Sequence, residues 1–345
     1  MPVSARGLPP GWTVGAAAFL VGAILIALAV GPFPIDAGAI AQAALSHIPL
    51  LGIHSPLDHL QSAILWQVRA PRVVLGALVG GMLAVAGSAY QGVSRNPLAD
   101  PYLLGVSAGA GVGATVVIAF VPGASGGELL PLAAFAGAVL AVGCAYVLGS
   151  SVGRGAGAGA LILAGVTVAA FLTAIQTFMQ QHQSQTLQEV YAWILGGLSG
   201  ATWHQVGLAV PYIVVSAAVL VAHRRILDVL TVGDHEAASL GINVSRARMT
   251  IVAAATIGTA AAVAVSGLIG FVGIIVPHTI RLLVSSSYRA IVPLSLLVGA
   301  GFLVLTDVLA RSVLSPAELP IGVVTAFLGA PFFAIVLRRS KWVGV

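Results

Sequence analysis

One stretch of the sequence has the spacing of a catalytic serine. Gly105-Val106-Ser107-Ala108-Gly109 matches G-x-S-x-G, in which a sharp strand-to-helix turn exposes a nucleophilic serine to an imidazole base. His278, on another segment, is an available base for an intramembrane serine protease. However, Ser107 lies in a long run of glycine, alanine and valine, where small residues serve helix packing. We therefore rank a protease as the weakest reading and predict no catalytic residue.

The lysine content bears on nucleotide chemistry. Lys341, close to the C-terminus, is the single lysine of the chain. A Walker A phosphate-binding loop needs a lysine directly after its glycines, so this polypeptide cannot carry one. We expect no cofactor in this chain, and any ATP and Mg²⁺ that drive it to be bound by a separate ATPase chain.

Cysteine and histidine provide no clear metal or redox site. Cys144 is the single cysteine, so no disulfide can form within the chain, and its apolar surroundings indicate plain packing. His47, His54 and His59 lie between two apolar segments, in the connection 32–72, and could contact haem. Unpaired loop histidines are more often only solvated, so we predict no metal site.

The composition identifies the environment in which the protein folds. Of 345 residues, 59% are hydrophobic and 7% are charged, against about 25% charged in a soluble domain. The exterior of a soluble fold needs more polar cover than this. A water-soluble enzyme, a nucleic-acid-binding protein and a disordered regulator are therefore excluded, and membrane lipid is the expected surrounding.

Hydropathy predicts an all-α integral membrane protein with ten transmembrane helices, because a membrane helix needs roughly 20 mostly apolar residues. No connection is long enough for a soluble domain, so residues 1–345 should form a single transmembrane domain. The predicted spans are 13–31, 73–92, 103–120, 131–150, 160–180, 205–222, 249–266, 268–284, 291–309 and 321–337.

The basic residues predict the orientation. An even number of spans places both termini on one side, and basic residues at both ends indicate that this side is cytoplasmic. Twelve of the fifteen basic residues then fall inside. The exceptions, Arg69, Arg72 and Arg311, are predicted together at the outer face, which suggests that they have a function there.

The spans are rich in small residues and poor in deep charges. Glycines such as Gly76 and Gly80 recur at four-residue spacing, which lets helix backbones approach closely. Segment 268–284 is interrupted by Gly270, Gly273 and Pro277, and such breaks occur inside protein or beside a cavity. Because few ionisable residues lie deep in any span, a bulky cargo fits better than a proton or ion relay.

Two cytoplasmic connections have features of their own. The loop 227–245 has helix-like spacing, and Ala237, Leu240 and Gly241 predict a short helix ended by Gly241; a simple connector is the alternative. At the inner end of the second span, Pro97 biases Asn96 away from helix, so the helix should stop or bend there.

Four stretches, in order and at the spacing that ten spans require, resemble the iron-siderophore, haem and vitamin B12 permease family of bacterial ABC importers, the type II importers. They are Leu65-Trp66-Gln67-Val68-Arg69-Ala70-Pro71-Arg72 with Asn96-Pro97-Leu98-Ala99-Asp100-Pro101 and Leu104-Gly105-Val106-Ser107; Gly233-Asp234-His235-Glu236-Ala237-Ala238-Ser239-Leu240-Gly241-Ile242; Gly270-Phe271-Val272-Gly273 with Pro277-His278 and Arg281; and Asp307 to Arg311 with Glu318-Leu319-Pro320-Ile321-Gly322-Val323 and Gly329-Ala330-Pro331.

The resemblance implies an assembly in the bacterial cytoplasmic (inner) membrane. Two copies of the permease would line one pathway, with two ATP-binding cassette ATPase chains below and a periplasmic or lipoprotein binding protein above. No nucleic acid is implied. The cargo would be an iron complex, a siderophore or haem, with cobalamin as the alternative.

The resemblance also assigns roles to residues. Arg69, Arg72 and Arg311 match positions that receive acidic residues of the binding protein; an ion pair of Arg311 with Asp307 is the alternative. ATPase coupling is implied for the matching positions of the cytoplasmic loop, namely Gly233, Glu236, Ala237, Leu240 and Gly241. Asn96 and Leu98 match positions that narrow the inner end of the pathway.

A secondary transporter driven by an ion gradient is the main alternative function. It would need charged or unwound coordination sites at the membrane midplane, and these spans offer few. It would also transport cargo without an ATPase.

Overall fold

The computed structural model describes residues 8, 10–31, 33, 35–46, 55–121, 123, 127–151 and 157–340, and its regular elements there are helices. In chain order they are α1 Pro10–Ala29, α2 Ala37–Leu45, α3 His59–Ala63, α4 Ala70–Ser94, α5 Val106–Phe120, α6 Leu129–Ser151, α7 Gly157–His182, α8 Leu187–Ile194, α9 Trp203–Ala222, α10 Arg224–Val232, α11 Asp234–Ser239, α12 Val244–Ser266, α13 Val272–Leu283, α14 Tyr288–Ser312 and α15 Ile321–Ser340.

Every predicted span coincides with one of these helices. Among the described residues, seven helical segments are long and apolar enough to cross a membrane. The apolar helices Val106–Phe120, Val272–Leu283 and Ile321–Val336 are shorter. The molecule is therefore an all-helical, multi-pass membrane protein, and the total of ten spans with cytoplasmic termini stays a prediction.

The second span begins earlier than predicted. Helix is continuous from His59 to Ser94, with a π-helical stretch at Ile64–Arg69 joining α3 to α4. Pro71 occupies the first turn of α4, where its missing N–H is tolerated. Polar residues such as Gln61 and Gln67 lower the hydropathy of this stretch. Because the helix is continuous from His59, Arg69 and Arg72 lie within it and not in a loop.

Helices α4, α12 and α14 form the buried centre of the bundle, whereas α1 and α7 are largely exposed. Glycine permits their close contact with neighbours. A side chain at Gly87 would overlap the backbone of Gly273 on α13, and one at Gly80 would overlap that of Gly299 on α14. The small-residue pattern therefore reflects helix packing, as predicted.

Two shorter helices follow α9 on the predicted cytoplasmic side. Helix α10 buries Leu227 and Leu230, and α11 buries Ala237. Gly241, with a φ of +81°, ends α11, and the Ile242 N–H donates to the Ala237 carbonyl at 3.1 Å. This is the glycine-terminated helix end predicted for the loop 227–245.

Candidate functional sites at the two ends of the bundle

At one end of the bundle, Arg72 is enclosed by two carboxylates. Its guanidinium donates to Asp307 at 2.9 to 3.1 Å and to both oxygens of Glu318 at 2.8 and 2.9 Å. The Arg72 side chain is 10% exposed and that of Asp307 is 4% exposed. This paired geometry links α4, α14 and the segment before α15, and it leaves Arg72 with internal partners.

Arg69 and Arg311 contact the end of α1. Arg69 donates to the carbonyls of Leu28 at 2.6 Å and Ala29 at 3.2 Å and also to that of Phe33. Arg311 donates to the Ala27 carbonyl and lies 3.7 Å from Asp307. Cations at the C-terminus of a helix offset its negative dipole end, so these arginines attach α1 to the bundle.

The structure brings the three predicted docking arginines together, but it buries all of them. The alternative, an ion pair between Arg311 and Asp307 within the chain, is present in the structure at 3.7 Å. Asp307 lies closer to Arg72, at 2.9 Å. Glu318 is the exposed member of the pair with Arg72, since its side chain is 40% exposed. Hydrogen bonding from Arg72 lowers the pKa of Glu318. Docking by these arginines stays a prediction.

The opposite end of α4 contacts the predicted coupling segment. Glu236 on α11 and Leu240 directly after it are exposed, and a side chain added at Gly233 would overlap the Glu236 carboxylate. Ala237 faces inward, and Gly241 shapes the helix end described above. The segment therefore offers an exposed face of Glu236 and Leu240 on a buried base.

Two carboxylates that sequence reasoning did not single out hold this segment to the bundle. Asp234 pairs with Arg95 at the end of α4 and with Arg248 of α12 at 3.1 Å. Asp228 accepts from the Tyr288 N–H at 2.5 Å and from the Ser287 hydroxyl at 2.7 Å. The sequence signal was present in Asp234, which lies inside the family-like stretch 233–242.

The turn at Asn96 is stabilised locally. Helix α4 ends at Ser94, as the position of Pro97 predicts within two residues. The Asn96 side chain accepts from the Leu98 N–H at 2.9 Å, and both residues are half-buried. The contact explains the turn, and a role of Asn96 and Leu98 in narrowing the pathway stays a prediction.

An apolar cavity of about 710 Å³ adjoins the break before α13. Its lining includes Leu195, Leu268, Phe271, Phe327 and Tyr102. The Tyr102 hydroxyl donates to the Ile269 carbonyl at 3.0 Å and accepts from the Ile269 N–H at 3.1 Å. Broken helix in a membrane requires such partners for its free backbone groups. The predicted interruption at Gly270 thus lies beside a cavity, as expected.

The alternative chemistries gain no support from the geometry. Ser107 follows the 3-10 turn Pro101–Leu104, whereas a nucleophile elbow follows a strand. His278 packs edge-on against Phe332, at 5.9 Å between ring centroids. Residues His47 and His54 lie outside the described residues, and His59 begins α3. Within the described ranges, no group of three metal-ligating side chains occurs.

Apolar helices joined through glycine contacts, a broken helix beside an apolar cavity and a polar segment at one end are features of a multi-pass membrane protein. Comparisons with known proteins give the family. Residues 19–339 match the FecCD transport family, and the chain belongs to that family of ABC transporter permease subunits.

Named relatives and a solved structure agree with this assignment. A cobalamin import system permease protein, BtuC, of Halobacterium salinarum is 38% identical over 96% of both chains. A hemin transport system permease protein, HmuU, of Yersinia pestis is 38% identical over 79% of this chain and 83% of its own. An inward-facing metal-chelate type ABC transporter superposes with a TM-score of 0.83 at 26% identity, covering 96% of this chain and 100% of that one.

Proposed function

We propose that this chain is the membrane subunit of an ABC importer that carries a metal chelate across the bacterial cytoplasmic membrane. The observation that carries the proposal is the family match across residues 19–339. Two copies form one pathway, two separate ATPase chains supply the energy, and a binding protein delivers the cargo from outside. The chain itself performs no covalent chemistry and binds neither ATP nor Mg²⁺.

The apolar cavity beside Phe271 supports a pathway for a bulky cargo. Its lining contains aliphatic and aromatic side chains together with the hydroxyls of Tyr102 and Ser107, and none of the lining residues is ionisable at neutral pH. A large chelate can pass along such a wall without being held there by charged side chains. An ion-coupled transporter would instead need charged or coordinating groups at this depth.

The cargo is an iron complex in our first proposal, because hydroxamate, citrate and hemin permeases occur among the relatives. Cobalamin is the second candidate. The observation that favours it is the cobalamin permease relative, which matches over 96% of both chains, whereas the iron permeases match over about four fifths of this chain.

Reconstitution tests the function and the cargo together. The chain is placed in liposomes with its ATPase and binding protein, and uptake of ferric siderophore, haem and cyanocobalamin is measured with and without ATP. We expect ATP-dependent uptake of one chelate class, and loss of uptake when the ATPase is omitted. Uptake driven by an ion gradient without the ATPase would contradict the importer and support a secondary transporter.

The binding-protein contact is proposed at the end that holds Arg69, Arg72 and Arg311. Because these guanidiniums have internal partners, a docking carboxylate must add to or displace Glu318, whose side chain is the exposed part of the cluster. Pull-down of the binding protein with Arg72→Glu tests this, with Arg225→Glu as a control on the opposite side. Unchanged pull-down with Arg72→Glu would remove the assignment.

A further inference from the structure

The coupling segment, defined here as residues 224–240 (α10, α11 and Leu240), is held to the bundle by two carboxylates: Asp228 bonds the start of α14, and Asp234 bonds two arginines. On its exposed face, Val232, Glu236 and Leu240 point away from the protein. The Asp234 carboxylate, whose side chain is 45% exposed, bonds two arginines from different parts of the bundle, Arg95 after α4 and Arg248 on α12. Asp234 therefore connects the segment directly to two of the three most buried helices.

The backbone at Arg95 is a second observation at this point. Arg95 has a φ of +53°, a left-handed conformation that is unfavourable for a residue with a side chain and usually belongs to glycine. Its side chain bonds both the Asp234 carboxylate and the Leu230 carbonyl, the latter at 2.8 Å. The end of α4 is thus shaped so that one guanidinium contacts both helices of the segment.

The packing of α4 determines where a displacement at this joint would go. Helix α4 meets α13 at Gly87 and Gly273, backbone against backbone. Helix α13 directly follows Phe271, which lines the apolar cavity. The end of α4 at Arg95 is therefore connected to the cavity wall through this backbone contact and through the hydrogen bond that Gln91 donates to the Gly273 carbonyl at 3.0 Å.

We infer that Asp234 is the positioning residue that transmits movement of the coupling segment to α4 and α12. Through it, displacement of the exposed face by an ATPase changes the opening of the pathway. This inference rests on the proposed function, and it assigns to Asp234, Arg95 and Arg248 a role distinct from contact with the ATPase. Glu236 and Leu240 receive the movement, and the three charged residues pass it on.

The test uses Asp234→Asn in the reconstituted importer, which keeps the size of the side chain and removes its charge. The readout is the number of cargo molecules imported per ATP hydrolysed. We expect the ATPase to remain bound and to hydrolyse ATP within about twofold of wild type, while import per ATP falls at least tenfold. Glu128→Gln is the matched control. Glu128 is an exposed carboxylate directly before α6 that pairs with His204, and its loss should leave the import per ATP unchanged.

Two outcomes overturn the inference. If import per ATP is unchanged in Asp234→Asn, Asp234 does not transmit movement. If the ATPase no longer binds, Asp234 belongs to the docking contact and not to transmission. A wild-type complex without ATP-dependent import would instead overturn the proposed function itself, so the two failures are distinguishable.

A crosslinked pair gives a second test, which does not depend on the charge of Asp234. Arg95→Cys and Asp234→Cys are combined with Cys144→Ala, which removes the native thiol. The pair should be uncoupled when free and should regain import per ATP when joined by a short bis-maleimide, because a covalent joint also transmits movement. No recovery in the joined, ATPase-bound complex would count against transmission.

Discussion

Arg72 bonds two acidic residues that differ in their exposure to solvent. Asp307 is buried with it, whereas Glu318 reaches it from a partly exposed position. A charge pair removed from water is strongly destabilised when one partner is lost, while an exposed pair contributes little. The two acids on the same guanidinium should therefore differ in their effect on stability.

We expect Asp307→Asn to lower the free energy of unfolding by about 3 kcal/mol, because Arg72 and Arg311 then lose their shared buried acid. Glu318→Gln should cost less than about 1 kcal/mol. Thermal unfolding of the purified variants in detergent compares them directly. Equal losses in the two variants would mean that burial does not separate the two acids.

Glu318 also predicts a dependence on pH. Its pKa is lowered in the folded protein by the hydrogen bonds from Arg72, so the folded state binds this proton less readily than the unfolded chain. The stabilisation is complete above the unfolded value of about 4.3 and is lost as the pH falls through the folded value. Unfolding midpoints between pH 3 and 7 should therefore fall more steeply in wild type than in Glu318→Gln; parallel curves would contradict this.

At the scale of single elements, α4 and α13 meet backbone against backbone at Gly87 and Gly273. Gln91 of α4 also donates to the Gly273 carbonyl at 3.0 Å and accepts from Arg281 of α13 at 3.1 Å. A methyl group at Gly87 would overlap Gly273, whereas one at Gly143 on α6 would meet no atom within 4 Å. Both glycines lie inside helices, so their intrinsic preference for alanine is the same. Comparing alanine substitutions at Gly87 and Gly143 therefore distinguishes the effect of helix packing from that of helix propensity.

Gly87→Ala should therefore destabilise the protein by about 1 to 3 kcal/mol through overpacking. Gly143→Ala should be neutral or stabilising by up to about 1 kcal/mol. Thermal unfolding of the two variants provides the measurement. Similar stability of both would show that α4 and α13 separate at no cost, and would weaken the transmission route through Gly87.

The elements that sequence reasoning found and missed differ in their physical basis. The apolar spans were predictable because twenty uninterrupted apolar residues have one outcome in lipid. The early start of the second span was not predictable, because polar residues at 59–69 lower its hydropathy. The helix there continues through a π-helical stretch into α4. Helices α2 and α8 were missed because each is short and only partly apolar. Helix α10 overlaps the predicted helical loop 227–245 but begins earlier, at Arg224.

The sites were predictable only in part, for a related reason. Arg69, Arg72 and Arg311 stood out because they broke the charge pattern, and the glycine end of α11 was visible in the sequence. The bond from Arg72 to Glu318 joins residues 246 positions apart, and Arg95 meets Asp234 across 139. Pairings over such distances depend on the packing of whole helices, which local patterns do not contain.

At the scale of the whole molecule, the proposed orientation places the Arg72 cluster outside and the coupling segment inside. These groups lie at opposite ends of α4, whose 25 residues span about 37 Å at 1.5 Å per residue. This matches the thickness of a bilayer core with part of its interfaces. The orientation itself is open to direct measurement.

Single cysteines in a Cys144→Ala background test it. Leu240→Cys directly after α11 and Ala317→Cys beside Glu318 both replace exposed residues. A membrane-impermeant thiol reagent should label position 317 in right-side-out vesicles and position 240 in inside-out vesicles. Labelling of both positions from the same side would contradict the predicted orientation.

The first helix, α1, has an electrostatic role that its few buried residues do not indicate. Helix α1 buries only Ala16, Ala23 and Ala27, yet its last carbonyls accept hydrogen bonds from Arg69 and Arg311. The negative end of its dipole thus acts as the counter-ion for positive charge that the two carboxylates do not balance. A chain shortened to begin after α1 would lose the apolar cluster that Ala23 and Ala27 form with α4 and α14, and Arg69 would lose the carbonyls of Leu28 and Ala29 as acceptors. A largely exposed helix is therefore both a packing partner and an electrostatic component of this end of the bundle.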